Sequence, residues 1–285
     1  MRIKNKLSGI AQLIRLDLSI AAAICVVAGE ILALSGLPTL REALVGFSCG
    51  FFISASALIL NDYFDIESDR INMPNRPLPS GIVSKSEIIY LTIFATIMGL
   101  FSALLLGTYV LVIGIIFWFI GLLYNWKLKR TGLLGNIMVA SSVAITFIIG
   151  GIAVGNPWNV TVWSFGLMAF LVDLGEEISA DAMDLEGDKR QNSKSIAIIW
   201  GRKAALKLSS LLFGLVILVS FFPLLFGNLG KIYLLAMIII DCNIIYFVSK
   251  LLKSKKDSEG RKYIIGIYRG IMIGIIVLVL GTILF

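Results

Sequence analysis

Charged residues in this chain come in short blocks, and nine apolar stretches run between the blocks. They cover roughly residues 18–35, 43–60, 88–107, 108–124, 135–155, 160–174, 206–226, 232–248 and 263–285. A helix needs about 20 mostly apolar residues to cross the hydrocarbon core of a bilayer. In that medium a helix satisfies all its backbone polar groups internally, so the pattern predicts an all-α, polytopic membrane protein. The expectation is nine transmembrane helices in a ring-like bundle around a central cavity, forming one domain over 1–285. The sixth stretch is short for a span and is expected to run on into the polar residues that follow it. Eight further spans mark the first as a retained helix rather than a cleaved leader.

Composition sharpens this reading. The chain of 285 residues is 58% hydrophobic and 15% charged, against about 25% charged in an ordinary soluble domain. In a soluble protein a net charge of +7 would suggest nucleic acid. Here Lys and Arg gather in the N-terminal segment (Arg2, Lys4, Lys6, Arg15) and after spans two, four, six and eight. The loops after spans one, three, five and seven hold only Arg41 and Lys231. This positive-inside pattern predicts a cytoplasmic N-terminus and an external C-terminus. It calls for the lipid bilayer as partner, not nucleic acid, and no obligate protein partner is evident. Cys25, Cys49 and Cys242 lie inside spans without metal-ligand spacing. The absence of histidine excludes a Ser-His-Asp triad and histidine-ligated metals.

Two acidic blocks stand out against this background. The first, NDYFDIESDR, begins at Asn61; the second, ADAMDLEGDK, begins at Ala180. Asp62, Asp65 and Asp69 align with Asp181, Asp184 and Asp188, and Glu67 aligns with Glu186. With Asp173, Glu176 and Glu177, the two segments hold eleven of the eighteen acids. Both follow even-numbered spans and so face the same side. The pattern reads as an internal repeat of parallel orientation, with four spans between the copies.

On a helix, positions i, i+3 and i+7 share one face, so each row of aspartates would project one way. Neighbouring carboxylates about 6 Å apart repel by roughly 2–3 kcal/mol at an effective dielectric near 20. A hard cation offsets that repulsion. Mg²⁺ takes oxygen ligands and needs only one or two carboxylates when phosphates complete its shell. A solvated acidic helix end explains one such block well, but two matched blocks on one side far less well. The ligand implied is polyanionic at one end and apolar at the other, and a lipid diphosphate meets both conditions.

The stretch NDYFDIESDRINMPNRPLPSG resembles the first signature of the UbiA-type intramembrane prenyltransferases, N-D-x-x-D-x-x-x-D followed by an N-R-P-[LI]-x-x-G loop. DAMDLEGDK resembles the second, D-x-x-D-x-E-G-D. The stretch 124–136 is similar to the family's tyrosine-and-basic loop. Two departures stand before the second signature, where the family often carries an arginine and a lysine and this chain has Glu176 and Ala180. A phosphate contact from that lysine would then pass to Lys189 or Lys194. Within the family, the wording is most like the archaeal ether-lipid branch. That likeness implies Mg²⁺-dependent transfer from geranylgeranyl diphosphate to the free hydroxyl of geranylgeranylglyceryl phosphate.

The resemblance implies roles as well. Asn61, Asp62, Asp65 and Asp69 would hold one metal–diphosphate half-site, and Asp181, Asp184 and Asp188 the other. Asp65, Asp69, Asp181 and Asp184 are the candidate catalytic carboxylates. Arg76, Lys129, Arg130 and Lys189 are candidate diphosphate contacts, since cationic side chains suit phosphate oxygens. Tyr63 and Tyr124 could face an allylic cation. Arg15, Lys85 and Lys127 are candidates for the acceptor's phosphate. Three prolines at 74, 77 and 79 predict a rigid loop over the cavity. The competing readings are an aromatic prenyltransferase of quinone synthesis, an ion-coupled transporter and a lipid scaffold.

Overall fold

The computed structural model describes residues 2–190, 192–226 and 231–284. Those residues are helical nearly throughout. The helices are α1 (Arg2–Ile14), α2 (Leu16–Leu34), α3 (Leu40–Phe64), α4 (Ile66–Asn72), α5 (Lys85–Leu106), α6 (Thr108–Leu123) and α7 (Leu133–Ala153). There follow α8 (Val160–Met183), α9 (Leu185–Arg190), α10 (Ile196–Ile199), α11 (Arg202–Val219), α12 (Phe222–Phe226), α13 (Lys231–Lys253) and α14 (Asp257–Leu284). A π turn over Tyr124–Leu128 and a 3-10 turn over Lys129–Thr131 join α6 to α7. Among the described residues, seven helical segments are long and apolar enough to cross a bilayer: α2, α3, α5, α6 with its following turns, α7, α11 with α12, and most of α13. The α8 helix has 24 residues and carries Asp173, Glu176 and Glu177; α14 has 28.

The helix starts follow from local chemistry. Thr39 and Glu42 form a reciprocal capping box at the start of α3, with bonds of 3.2 and 2.8 Å. Ser84 and Glu87 repeat it at the start of α5, with bonds of 3.3 and 2.9 Å. Each box satisfies two amides that the helix itself leaves unpaired, and losing such a cap costs about 1 kcal/mol.

Packing shows the repeat in three dimensions. The α2 helix lies on α3, α3 on α5 and α5 on α6; likewise α7 lies on α8, α8 on α11 and α11 on α13. The two halves meet where α2 crosses α7, and α14 packs on α13 and returns to α8. At the α2–α7 crossing the contacts are reciprocal. A Cβ on Gly29 would strike the Phe147 carbonyl, and a Cβ on Gly150 would strike the Val26 carbonyl. Each glycine lies three residues after the carbonyl that the other meets, so the crossing has local two-fold symmetry. In a bilayer, helices gain little from hydrophobic sorting and rely on such close backbone approach.

The intramembrane acids lie inside the bundle. Glu30 is buried against Gly46, and Asp241 accepts the Ser220 hydroxyl at 3.0 Å. Neither touches the acidic blocks.

Candidate active site

Both acidic rows bend at the same aligned position. The α3 helix ends at Phe64 and α4 starts at Ile66, leaving Asp65 at the junction. The α8 helix ends at Met183 and α9 starts at Leu185, leaving Asp184 at the junction. One continuous helix per row was expected, and the structure corrects this. Asn61 and Asp62 occupy the last turn of α3 with Asp69 on α4, and Asp181 occupies the last turn of α8 with Asp188 on α9. In the first row, Arg76 reaches both the first aspartate and the third.

The first row is charge-compensated. Arg15 Nη2 donates to Asn61 Oδ1 at 3.3 Å and Asp62 Oδ1 at 3.2 Å. Arg76 Nη1 lies 2.7 Å from Asp69 Oδ2 and 3.6 Å from Asp62 Oδ1. Lys129 pairs with Asp65. Asp62 and Asp69 are buried, and a buried carboxylate without such partners would be costly. Arg15 reaches this place because it sits in the left-handed region (φ 46°) between α1 and α2. Backbone strain of this kind in a non-glycine residue gathers at functional sites.

The second row is held differently. Asn136 Nδ2 donates to Asp181 Oδ2 at 3.0 Å, and the Tyr268 hydroxyl donates to Asp173 Oδ1 at 3.1 Å. Asp184 is exposed, with Arg261 Nη2 3.6 Å from its Oδ2. Asp188 Oδ2 and Asp173 Oδ2 are buried without a hydrogen-bond partner. Burial pushes the Asp188 carboxyl above its usual range; the Ser195 hydroxyl nearby opposes the rise and Asp184 adds to it.

The turns after α6 join the rows. Asn61 Nδ2 donates to Asn125 Oδ1 at 2.9 Å, and Asn125 Nδ2 donates to the Ala57 carbonyl at 2.9 Å. On the other side, the Lys194 amide donates to the Arg130 carbonyl at 3.0 Å. Tyr124 stands within electrostatic reach of Asp65 from the first row and of Asp173, Glu177 and Asp181 from α8. Lys129, paired with Asp65, is also within reach of Glu177. Tyr124 therefore stands within reach of a carboxylate from each row, and Lys129 within reach of Asp65 and of Glu177 just before the second row. Among the described residues no three acids gather closely enough to hold an ion by themselves.

The sequence profile described as the UbiA prenyltransferase family matches residues 22–271. The chain belongs to this family. It is 34% identical to the digeranylgeranylglyceryl phosphate synthase of Thermococcus kodakarensis over 241 residues, covering 85% of this chain and 86% of that protein. The synthase of the same name from Pyrococcus furiosus is 34% identical over 258 residues, covering 90% and 92%. A solved structure from work on digeranylgeranylglyceryl phosphate synthase in membranes matches with a TM-score of 0.82 and 31% identity, over 98% of this chain and 99% of that one. A UbiA homologue from Archaeoglobus fulgidus, bound to GPP and Mg²⁺, shares the fold with a TM-score of 0.69 at 17% identity, over 95% and 99%.

Within this UbiA fold, some expected residues lie apart from the rows. Tyr63 packs edge-on to Phe64 and against the cluster of Leu13, Ile59, Leu78, Val83 and Ile88. It belongs to the seam between α1, α3 and the loop after α4, which a residue one position from Asp62 reaches by the 100° helical step. Lys85 is exposed in the first turn of α5, and Lys127 is exposed over the Trp126 ring at 5.7 Å. Arg130 and Lys189 are exposed, and neither forms an ion pair with a carboxylate of the rows among the described residues. Arg15, a candidate for the acceptor's phosphate, contacts the first row. A cavity of about 370 Å³, lined by Gln12, Met73, Pro74, Asn75 and Arg76, opens beside the loop after α4. It meets the site through Arg76. Asn125, Tyr268 and Arg261 were not singled out by sequence.

Proposed function

We propose that this chain transfers a geranylgeranyl group from geranylgeranyl diphosphate to the free hydroxyl of geranylgeranylglyceryl phosphate. The C1–oxygen bond to diphosphate breaks as the acceptor oxygen bonds C1 in an ether link. The hydroxyl proton passes to a carboxylate of the two rows or to the departing diphosphate. The observation that carries this reading is that Tyr124 stands within reach of carboxylates from both acidic rows, with Lys129 paired to the first. The relatives named for this synthase, similar along nearly their whole length, support the choice of substrates.

The residues suit the reaction. Arg15, Arg76 and Lys129 stand against carboxylates and can extend the same donors to phosphate oxygens. The loop after α4 buries Leu78 and Val83 against Leu13 of α1, which fixes the loop that carries Arg76. Tyr124, beside Asp65 and Asp181, would offer an aromatic face to an allylic cation. The donor set is oxygen only, with Asp188 Oδ2 unpartnered, and so fits a hard divalent cation. Asn61, Asp62, Asp65 and Asp69 would hold it on one side and Asp181, Asp184 and Asp188 on the other. When bound, Mg²⁺ offsets the negative charge that gathers on the leaving diphosphate. Because no three acids converge among the described residues, phosphate oxygens would be needed to complete its shell.

In this reading α8 and α14 also cross the bilayer, giving nine spans with the N-terminus and both rows on the cytoplasmic side. The acids of α8 face the interior, where intramembrane charge is tolerated.

The test offers the purified protein labelled geranylgeranyl diphosphate with geranylgeranylglyceryl phosphate and hydroxybenzoate side by side. The expected product is the diether phosphate, with one diphosphate released per transfer. Asp65→Ala and Asp184→Ala should each lower kcat/KM by at least about a hundredfold. Prenylated hydroxybenzoate as the main product would replace the acceptor assigned here, and turnover surviving both changes would remove the site.

A further inference from the structure

The two rows differ in their cations. Arg15, Arg76 and Lys129 meet the first row. Among the described residues, one basic side chain pairs with the second row: Arg261, from the second turn of α14. Its Nη2 lies 3.6 Å from Asp184 Oδ2 and donates to the Met183 carbonyl at 3.5 Å. Arg261 and Tyr268 stand at i and i+7, so they share a face of α14. Tyr268 reaches Asp173 of α8 at 3.1 Å. The α14 helix therefore lays a polar stripe along the acidic stripe of α8, from Asp173 in the interior to Asp184 at the mouth. Gly260 permits the approach, since a Cβ there would strike Met183 Sδ.

The Arg261–Asp184 pair is open at 52% and 64% side-chain exposure. At 3.6 Å it is an ion pair and not a hydrogen bond, so most of the guanidinium's five donors stay available. Both substrates of the proposed reaction carry phosphate, and the three bases of the first row pair with that row's own aspartates. We infer that Arg261 binds a phosphate group of one of these two substrates at the mouth of the second row. This rests on the function proposed above.

Arg261→Gln and Arg261→Lys are compared with Arg202→Gln in the full-length protein. Arg202 ties the same junction through Met183 Sδ at 3.3 Å, the Lys255 carbonyl at 2.9 Å and Asp257 at 3.4 Å, with no carboxylate of the rows. Calorimetry reads the affinity for pyrophosphate in Mg²⁺, steady-state kinetics reads both KM values, and thermal unfolding reads the junction. Arg261→Gln should weaken one phosphate site by about tenfold, as expected for a lost charge-assisted bond, and Arg261→Lys should restore most of it. Weaker pyrophosphate binding with a higher donor KM assigns the donor's diphosphate. A higher acceptor KM with pyrophosphate unchanged assigns the acceptor's phosphate. Arg202→Gln should lower the unfolding temperature and leave both affinities intact. If Arg261→Gln changes neither affinity, or Arg202→Gln changes them equally, Arg261 is only a staple between helices. A wild-type protein that binds no pyrophosphate and transfers no prenyl group would sink the functional reading itself.

Discussion

Arg76→Gln separates two jobs that one side chain performs. In the free protein the guanidinium lies 2.7 Å from Asp69 and 3.6 Å from Asp62, with side-chain exposures of 30%, 10% and 6% respectively. Stranding a fully buried charge costs about 3–5 kcal/mol, whereas an exposed pair is worth at most about 1 kcal/mol. Here the carboxylates are buried, the guanidinium is partly open, and Asp62 keeps Arg15 at 3.2 Å. The loss should fall between those limits, about 1–2 kcal/mol. With donor bound, the same group should make a charge-assisted bond to phosphate worth about 1.5–3 kcal/mol. That corresponds to a rise of about 10–100-fold in the donor KM. Thermal unfolding of the protein in lipid nanodiscs reads the first effect, and steady-state kinetics with geranylgeranyl diphosphate reads the second. Mg²⁺ should raise the variant's unfolding temperature more than the wild type's, because a cation binding only the folded state stabilises it by linkage and the variant leaves more charge uncompensated. A lowered unfolding temperature with an unchanged donor KM would refute the reasoning, since Arg76 would then be a counter-ion alone.

Two further outcomes follow from the geometry. Because no three acids converge among the described residues, pyrophosphate should raise the calorimetric Mg²⁺ affinity by at least about tenfold, and chelation should stop turnover; equal affinity with and without pyrophosphate would contradict this. Gly29→Ala and Gly150→Ala each press a methyl group into a backbone carbonyl of the partner helix, so each should cost about 1–3 kcal/mol. The local symmetry of the crossing predicts similar losses of unfolding temperature for the two variants, and a large difference between them would break it.

Much of the architecture was legible because bilayer chemistry leaves few choices. Apolar runs predicted α2, α3, α5 and α7 to within a few residues, and the short sixth run was expected to continue. It does, as α8 to Met183, because Asp173, Glu176 and Glu177 lie in the bundle. The aligned acidic blocks were legible as a repeat. The bends at Asp65 and Asp184 were not, since spacing of i, i+3 and i+7 suits an unbroken helix equally well. Arg15 could be seen as a base near the membrane, but its place on Asp62 depends on the left-handed turn between α1 and α2. Tyr63 and Tyr124 looked equivalent in sequence, and the direction of each side chain from its helix separates them. Arg261 and Tyr268 carried no local signal, because their role depends on α14 returning to α8.

The repeat kept its scaffold and changed its charges. Both rows bend at the middle aspartate, yet the first row's three aspartates are matched by Arg15, Arg76 and Lys129. The second row's three stand beside Asp173, Glu176 and Glu177, with Asn136, Tyr268 and the loosely held Arg261 as their close partners. Acidic groups without a basic partner therefore gather on and beside the second row, where Asp188 and, upstream on α8, Asp173 carry unpartnered buried oxygens. A free divalent cation should be drawn there first, and the first row's bases should engage the diphosphate. Asp188→Asn should then weaken Mg²⁺ binding without substrate more than Asp69→Asn does. In pyrophosphate binding the order should reverse, because Asp69 sets the position of Arg76. Calorimetry on the two variants decides between this division of labour and two equal half-sites, which would give the same loss from either change.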